Sequence, residues 1–223
     1  MKLLHIDASV LGENSVSRQL SAAVVQQWRD QIPDLEVSYR DLDAQPVAHL
    51  RSSSLAQSDP AEVADAEQVL EQFLAADVVV IGSPMYNFSV ASTLKAWIDR
   101  LAVAGRTFKY TENGPVGLAG GKRVIVASSR GGLHTGAPTD FQDPYLRQVF
   151  AFFGIDNVEF VRAEGIAYSP QHRTDAIAQA LAALPQPEAL AADCSTRDPH
   201  RSLPLVVTVW VWQRWPLPGP SLF

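Results

Sequence analysis

Runs of apolar residues at strand spacing alternate with helical stripes along most of the chain. The run Val78–Ile81 is continuous and β-branched, which is typical of a strand buried on both faces of a parallel sheet. In contrast, apolar and polar residues alternate from Leu35 to Tyr39, which predicts an edge strand with one solvated face. The five predicted strands are Lys2–Ile6, Leu35–Tyr39, Val78–Ile81, Val124–Val126 and Val158–Val161.

Helical patterns separate these strands. Asp59–Pro60–Ala61–Glu62 predicts an N-cap, a first-turn proline and a capping-box glutamate for a helix to about Ala76. Asp143–Pro144 predicts the cap of a helix that runs through Phe153 and stops at Gly154. Three further helices are predicted. One carries an apolar stripe of Leu20, Ala23, Val24 and Trp28, and another carries a stripe of Leu94, Trp97, Ile98 and Leu101. The last spans Gln171–Leu184. Five such repeats predict a doubly wound α/β domain over residues 1–184, a five-stranded parallel sheet with helices on both faces.

The segment 185–223 breaks this alternation. It is rich in proline, and Trp210, Trp212 and Trp215 lie close together. Its composition favours an irregular, loosely ordered extension. Two alternatives stay open: a strand over 205–212 that pairs with a sheet edge or a partner subunit, and an altered reading frame near the end of the gene.

Composition narrows the classes of function. The 223 residues carry a net charge of -6, and Lys and Arg show no clusters, which argues against a nucleic-acid partner. The longest late apolar run, Leu205–Trp212, is too short to span a membrane. Cys194 is the only cysteine, so an intramolecular disulfide is excluded and a soluble, cytoplasmic protein is expected.

Three loops are expected at the carboxyl edge of the sheet, where open parallel sheets bind ligands. The first, 7–17, presents Ser9, Ser15 and Ser17 just before a helix, whose free N–H groups favour a phosphate. This loop has neither a G-x-x-x-x-G-K-[ST] nor a G-x-G-x-x-G motif, so a terminal monophosphate such as that of FMN fits better than a nucleoside triphosphate or a dinucleotide. Simple helix capping by Ser15 and Ser17 is the alternative.

The second and third loops suit a flat ring. Residues 83–89 place Tyr86, Asn87 and Phe88 after a buried strand, where an aromatic ligand would lie against them, although a self-packed loop is the alternative. Residues 128–135 join Arg130 to a glycine pair that allows close backbone approach. Arg130 paired with a surface carboxylate is the competing interpretation.

Four separated motifs carry a resemblance to a known family. They are the segments 83–88 (SPMYNF), 107–115 (TFKYTENGP), 129–132 (SRGG) and 163–168 (AEGIAY). Together they resemble the FMN-dependent NADH-azoreductases, which are also quinone reductases. The resemblance spans residues 2 to about 170 and implies a flavodoxin-like fold, a homodimer and one FMN per subunit.

The resemblance also implies roles for individual residues. The phosphate would be held by Ser9, Ser15, Val16 and Ser17, the isoalloxazine by Met85, Tyr86, Asn87 and Phe88, and the other side of the ring by Ser129, Arg130, Gly131 and Gly132. Tyr110 and, from the partner subunit, Phe152 are expected to cover the flavin and bind substrate. No metal is expected.

The implied activity is the transfer of two electrons from NADH, or NADPH, to quinones, aromatic azo compounds or nitroaromatics by a ping-pong mechanism. His134 is expected to be a solvent-facing loop residue rather than a proton donor. Two other functions remain open. A flavodoxin-type electron carrier would show one-electron chemistry, and a flavin-free scaffold would purify without yellow colour.

Overall fold

The computed structural model describes residues 1–187, and it confirms the doubly wound α/β fold. Five parallel strands form the main sheet in the order β2-β1-β3-β6-β7. The predicted edge strand, now β2, does lie at an edge. The strands are β1 (Lys2–Asp7), β2 (Glu36–Asp41), β3 (Val78–Pro84), β4 (Phe108–Thr111), β5 (Gly114–Gly117), β6 (Arg123–Ser129) and β7 (Val158–Ala163).

Helices cover both faces of this sheet. The larger core packs apolar side chains of α3, α4 and α5 on one face, and α1 and α6 pack on the other. Trp28 of α1 and Trp97 of α4 are fully buried, one in each core. The helices are α1 (Val16–Gln31), α2 (Ser52–Leu55), α3 (Pro60–Ala75), α4 (Ser92–Leu101), α5 (Gln142–Phe152) and α6 (Pro170–Ala182).

Two predicted helix caps are wrong in detail. Asp59 does cap α3, but Glu62 does not complete a capping box, because its carboxylate binds the buried guanidinium of Arg100 at 2.6 Å. Asp143 does not cap α5, because it lies inside the first turn and binds arginines instead. Asp140 accepts a hydrogen bond from the backbone N–H of Asp143 and so provides an acceptor for that N–H group in the first turn of α5.

The antiparallel hairpin β4–β5 is absent from the sequence-based prediction. It packs on the end of α5, where Gly117 lies so close to Gly154 that a side chain at residue 117 would collide with the backbone there. Gly154 follows α5 with a φ of 86°, which confirms it as the stop of that helix.

One compact unit extends from Met1 to Pro187, slightly beyond the predicted boundary at residue 184. The backbone carbonyl of Pro185 accepts a hydrogen bond from the indole of Trp28, and that of Gln186 accepts one from Arg123. The three interpretations of the segment 185–223 concern almost entirely residues outside the described range. Within residues 1–187, no helix combines the length and the apolar character needed to cross a membrane.

Candidate functional site

The three predicted loops all follow the carboxyl ends of strands, at the same end of the sheet. They follow β1, β3 and β6, which are adjacent and parallel, so their carboxyl ends lie side by side. The chain passes from β1 to β2 on one side of β1 and then crosses to β3 on the other side, so the topological switch point lies between the carboxyl ends of β1 and β3.

The first loop ends in a capped helix start. Ser15 is the N-cap of α1 and accepts a hydrogen bond from the N–H of Arg18, while its hydroxyl also lies 3.1 Å from that of Ser17. Val16 and Ser17 are the first two residues of α1, so their N–H groups have no acceptor within the helix. The capping interpretation of Ser15 is therefore confirmed, and it leaves two backbone donors for an anion.

The first and second loops are in contact. The hydroxyls of Ser9 and Tyr86 lie 3.2 Å apart, and Ser9 is fully buried. Val10, Tyr86 and Asn87 also line a cavity of ≈ 740 Å³ that reaches Tyr145 on α5. The loop after β1 and the aromatic loop after β3 thus meet at Ser9 and Tyr86.

The second loop is a two-residue turn in an unfavourable conformation. Tyr86 and Ser89 exchange two backbone hydrogen bonds, and Asn87 and Phe88 between them have φ values of 49° and 68°. Positive φ at both central residues defines a type I′ turn, which normally contains Asn and Gly. Phenylalanine is strained there, and the turn holds its ring half exposed.

The third loop is joined to the second at its root. The N–H of Met85 donates to the carbonyl of Ser129 at 2.9 Å. The amide of Gln142, fully buried at the start of α5, donates to Ser83 and Pro84 and accepts from Ser128. Sequence reasoning missed Gln142, because nothing in its local pattern distinguishes it from a surface helix residue.

Arg130 has a different environment from the one predicted. Its side chain is fully buried and binds the carboxylates of Asp140, Asp143 and Glu164, so it does not pair with a surface carboxylate. Its backbone N–H and carbonyl are bonded as well, to Ala163 and Ile166. These contacts hold Arg130 inside the protein, and their evident effect is to fix the third loop.

Glu164 holds the rest of the third loop. Its carboxylate accepts hydrogen bonds from the N–H groups of His134 and Thr135 at 2.8 and 2.9 Å. Burial alone would raise the pKa of Glu164, but these bonds and the charge of Arg130 outweigh it and hold the pKa below its usual range. The backbone of Gly131 and Gly132 is in turn bonded to Ala167 and Gly165.

His134 is only partly exposed, which corrects the prediction of a solvent-facing residue. Its Nδ1 lies 2.9 Å from the hydroxyl of Thr139, and its ring meets that of Phe88 edge to face at 5.8 Å. The second and third loops therefore also touch through side chains.

A polar network beside the first loop was missed as well. Arg18 joins Asp41 of β2 to the carbonyl of Ser9. Its hydrogen bond lowers the pKa of Asp41, and burial, reinforced by the charges of Asp7 and Asp41, raises the pKa of Tyr39 to about 12. Arg18 and Asp41 lie 23 residues apart, so only the fold brings them together.

The two predicted substrate residues share one aromatic cluster away from these loops. Phe152 contacts Phe108 at 4.4 Å between ring centroids, and Phe108 meets Tyr110 at 5.3 Å. The helix α5 starts beside the third loop and runs back along the sheet, so Phe152 at its end lies near the opposite edge. Tyr110 and Phe152 are therefore brought together, but apart from the three loops of their own chain.

Comparisons with known proteins agree with this geometry. A sequence profile described as flavodoxin-like fold matches residues 1–186. A protein of Stenotrophomonas maltophilia named FMN-dependent NADH:quinone oxidoreductase is 77% identical over 192 residues, covering 86% of this chain and 98% of that protein. One of Pseudomonas aeruginosa, FMN-dependent NADH:quinone oxidoreductase 2, is 60% identical over 191 residues, covering 81% and 95%.

Solved structures show the same architecture. The azoreductase of Bacillus anthracis strain Sterne superposes with a TM-score of 0.75 at 30% identity, covering 82% of this chain and 95% of that one. An FMN-dependent NADH-azoreductase of Bacillus anthracis strain Ames Ancestor, solved in complex with FMN, gives 0.74 at 26% identity, covering 82% and 98%.

Proposed function

The chain belongs to the family of FMN-dependent NADH:quinone oxidoreductases with a flavodoxin-like fold, and we propose that it transfers two electrons from NADH through FMN to quinones. The observation that carries the proposal is the convergence of three loops at the switch point of the sheet. Ser9 touches Tyr86, Met85 binds Ser129, and Phe88 meets His134.

The donors at this edge fit FMN. The N–H groups of Val16 and Ser17, with the hydroxyls of Ser9, Ser15 and Ser17, suit a phosphate at the positive end of α1. The exposed ring of Phe88 and the amide of Asn87 suit the face and the polar edge of an isoalloxazine. Gly131 and Gly132, with Ser129, supply side-chain-poor backbone for the other side of the ring.

Bound FMN would supply the redox chemistry, namely the acceptance of a hydride from a nicotinamide and the transfer of two electrons to an acceptor. The residues of the chain bind the cofactor and orient the substrates. Their task is to hold the donor or the acceptor within about 3.5 Å of the ring and to exclude competing reactions. The second proton that a quinone needs to become a hydroquinone comes from solvent in this proposal.

We extend the proposal to a ping-pong order, in which the nicotinamide leaves before the acceptor enters the same place. The exposed aromatic surface of the second loop supports this, because it suits any flat ring and offers no separate compartment for each substrate. For the same reason azo dyes and nitroaromatics are proposed as acceptors beside quinones, and NADPH is proposed as a donor beside NADH.

The proposed working unit is a cytoplasmic homodimer. Tyr110 and Phe152 lie apart from the three loops of their own chain, yet Tyr110 is 44% exposed, as an aromatic residue awaiting a second surface would be. In a symmetric dimer such a cluster covers the flavin of the other subunit. A single cysteine in 223 residues supports the cytoplasmic assignment.

An absorbance experiment tests the activity. The purified protein is expected to be yellow, to lose its flavin bands on anaerobic addition of NADH, and to regain them when a quinone is added. A flavodoxin-type carrier would keep its bands in the presence of NADH alone. A colourless protein that also fails to bind added FMN would favour the flavin-free scaffold function.

A further inference from the structure

We infer that Arg18 is a positioning residue for the phosphate end of the flavin, and that it makes the protein selective for FMN over riboflavin without touching the phosphate. The inference rests on the proposed use of FMN. It concerns a cluster beside the first loop, formed by Arg18 of α1, Asp7 of β1, and Tyr39 and Asp41 of β2.

All the hydrogen-bond donors of Arg18 are occupied. Nε and one Nη2 donor bind the carbonyl of Ser9 at 3.2 and 2.7 Å, and Nη1 and Nη2 grip Asp41 at 2.7 and 2.6 Å. The remaining Nη1 donor binds the hydroxyl of Tyr39 at 3.2 Å. A guanidinium has five N–H groups, so none is left to bind a phosphate.

The charge of Arg18 is also neutralised. Asp41 forms a bidentate pair with it, and a carboxylate oxygen of Asp7 lies 3.9 Å away. The side chain is only 14% exposed, so solvent screens this pairing weakly. Arg18 is therefore poorly suited to act as the direct counter-ion of a phosphate.

Its contact with Ser9 instead fixes the orientation of a peptide. The described residues have no cis peptide bond, so the N–H of Val10 points in the direction opposite to the Ser9 carbonyl. Because Arg18 holds that carbonyl, the N–H of Val10 is directed away from the arginine. Val10 itself lines the cavity beside Tyr86 and Asn87, so the peptide that Arg18 orients lies between the first loop and the second.

The same contact places the hydroxyl of Ser9. This hydroxyl accepts a hydrogen bond from the N–H of Leu11 and meets the hydroxyl of Tyr86, so the orientation of residue 9 affects both the first loop and the second loop. Asp41 anchors the arrangement to the sheet, because it is the last residue of β2 and also accepts from the N–H of Asp43. Edge strand, helix and loop are thus joined through one guanidinium.

The test compares the binding of FMN and riboflavin to the apoprotein by quenching of flavin fluorescence. Arg18→Gln is expected to raise the Kd for FMN about tenfold and that for riboflavin less than about threefold, because only FMN carries the phosphate. Arg29→Gln is the matched control, since it removes the same charge from an exposed position of α1 and should change neither value. Arg18→Lys keeps the charge but loses the fork, and it should also weaken FMN binding selectively.

Asp41→Asn separates positioning from direct charge attraction. If Arg18 positions the loop, the loss of its anchor raises the Kd for FMN, whereas a direct counter-ion released from Asp41 would lower it. A lower Kd in Asp41→Asn, an equal loss for both flavins in Arg18→Gln, or a normal Kd in Arg18→Lys would each overturn the inference. If the unaltered apoprotein bound no FMN, the proposed function would fail together with this inference, whereas normal FMN binding with unselective losses would refute the inference alone.

Discussion

Phe88 has a backbone conformation that its side chain disfavours. At φ 68° a residue with a Cβ atom is strained by about 1 kcal/mol or more, whereas glycine is not. We therefore expect Phe88→Gly to be more stable than Phe88→Ala by about 1 kcal/mol, the reverse of their usual order in regular structure. Urea denaturation of the two variants measures the difference, and both lack the ring, so lost packing cancels.

A more stable Phe88→Ala would show that residue 88 does not keep its positive φ in solution. If the expected order is found, both variants should also lose quinone reduction relative to the unaltered protein. The turn would then hold the ring exposed at a cost in stability, as strained backbone at functional sites often does.

His134 tests whether the protein supplies a proton donor. Its ring contacts Phe88 and Thr139, and neither of these side chains is charged. His134→Ala is expected to retain turnover with a quinone within about tenfold. General acid catalysis contributes on the order of a hundredfold or more, so a loss of that size in kcat, with FMN still bound, would assign the proton to His134.

Local patterns found the residues of the loops but not those that hold them. Ser9, Tyr86 and Gly131 are visible in sequence because hydroxyl, aromatic and glycine residues follow predicted strands. Arg18 and Gln142 were missed, since their importance depends on partners that are distant along the chain. Such contacts exist only once the sheet has formed.

At the scale of elements, Glu164 after β7 holds the loop after β6. Its pKa is depressed in the folded chain, so its contribution to stability is complete above the ordinary glutamate value of about 4.3 and is lost as pH falls through the lower folded value. The Glu164→Gln side chain carries no charge at any of these pH values, so it cannot lose one as the pH falls. We expect the stability of the variant to depend less on pH between about 5 and 3 than that of the unaltered protein.

Urea unfolding at several pH values measures this difference, and Glu112→Gln, on the exposed turn of the β4–β5 hairpin, serves as control. Parallel pH profiles for the unaltered protein and Glu164→Gln would contradict the inference that ionised Glu164 stabilises the loop after β6. Hydrogen exchange at His134 and Thr135 gives a local reading, because their N–H groups should exchange faster in the variant.

The elements themselves were predicted well where apolar periodicity is strong. All five strands of the main sheet and the helices α1, α4 and α6 were predicted from the pattern of the chain, whereas α3 and α5 were predicted from their capping residues. The hairpin β4–β5 was missed because only Phe108 of β4 is buried and β5 shows no alternation of apolar residues. The start of α5 was misplaced because Asp143 resembles a cap in sequence, whereas the fold brings two arginines to it.

At the scale of the whole molecule, the aromatic cluster of Phe108, Tyr110 and Phe152 lies apart from the three loops. Within the described residues, nothing connects Tyr110 to the flavin site proposed at those loops. A symmetric dimer supplies such a connection, since each subunit then offers its loops to one site and its aromatic cluster to the other. Each site would be made of two chains. Size-exclusion chromatography with light scattering is expected to give twice the chain mass.

Mixing two inactive variants provides the decisive test. One variant carries Asn87→Asp and Phe88→Asp and is defective in its loops, and the other carries Tyr110→Ala and Phe152→Ala and is defective in its aromatic cluster. When they are co-expressed, half of the dimers should be mixed, and each mixed dimer contains one site built from the intact loops of one chain and the intact cluster of the other. About a quarter of all sites would then work, because the second site of each mixed dimer carries both defects. Activity equal to the mean of the two separate variants would mean that each chain builds its site alone, and the proposed sharing of each site between two subunits would be wrong.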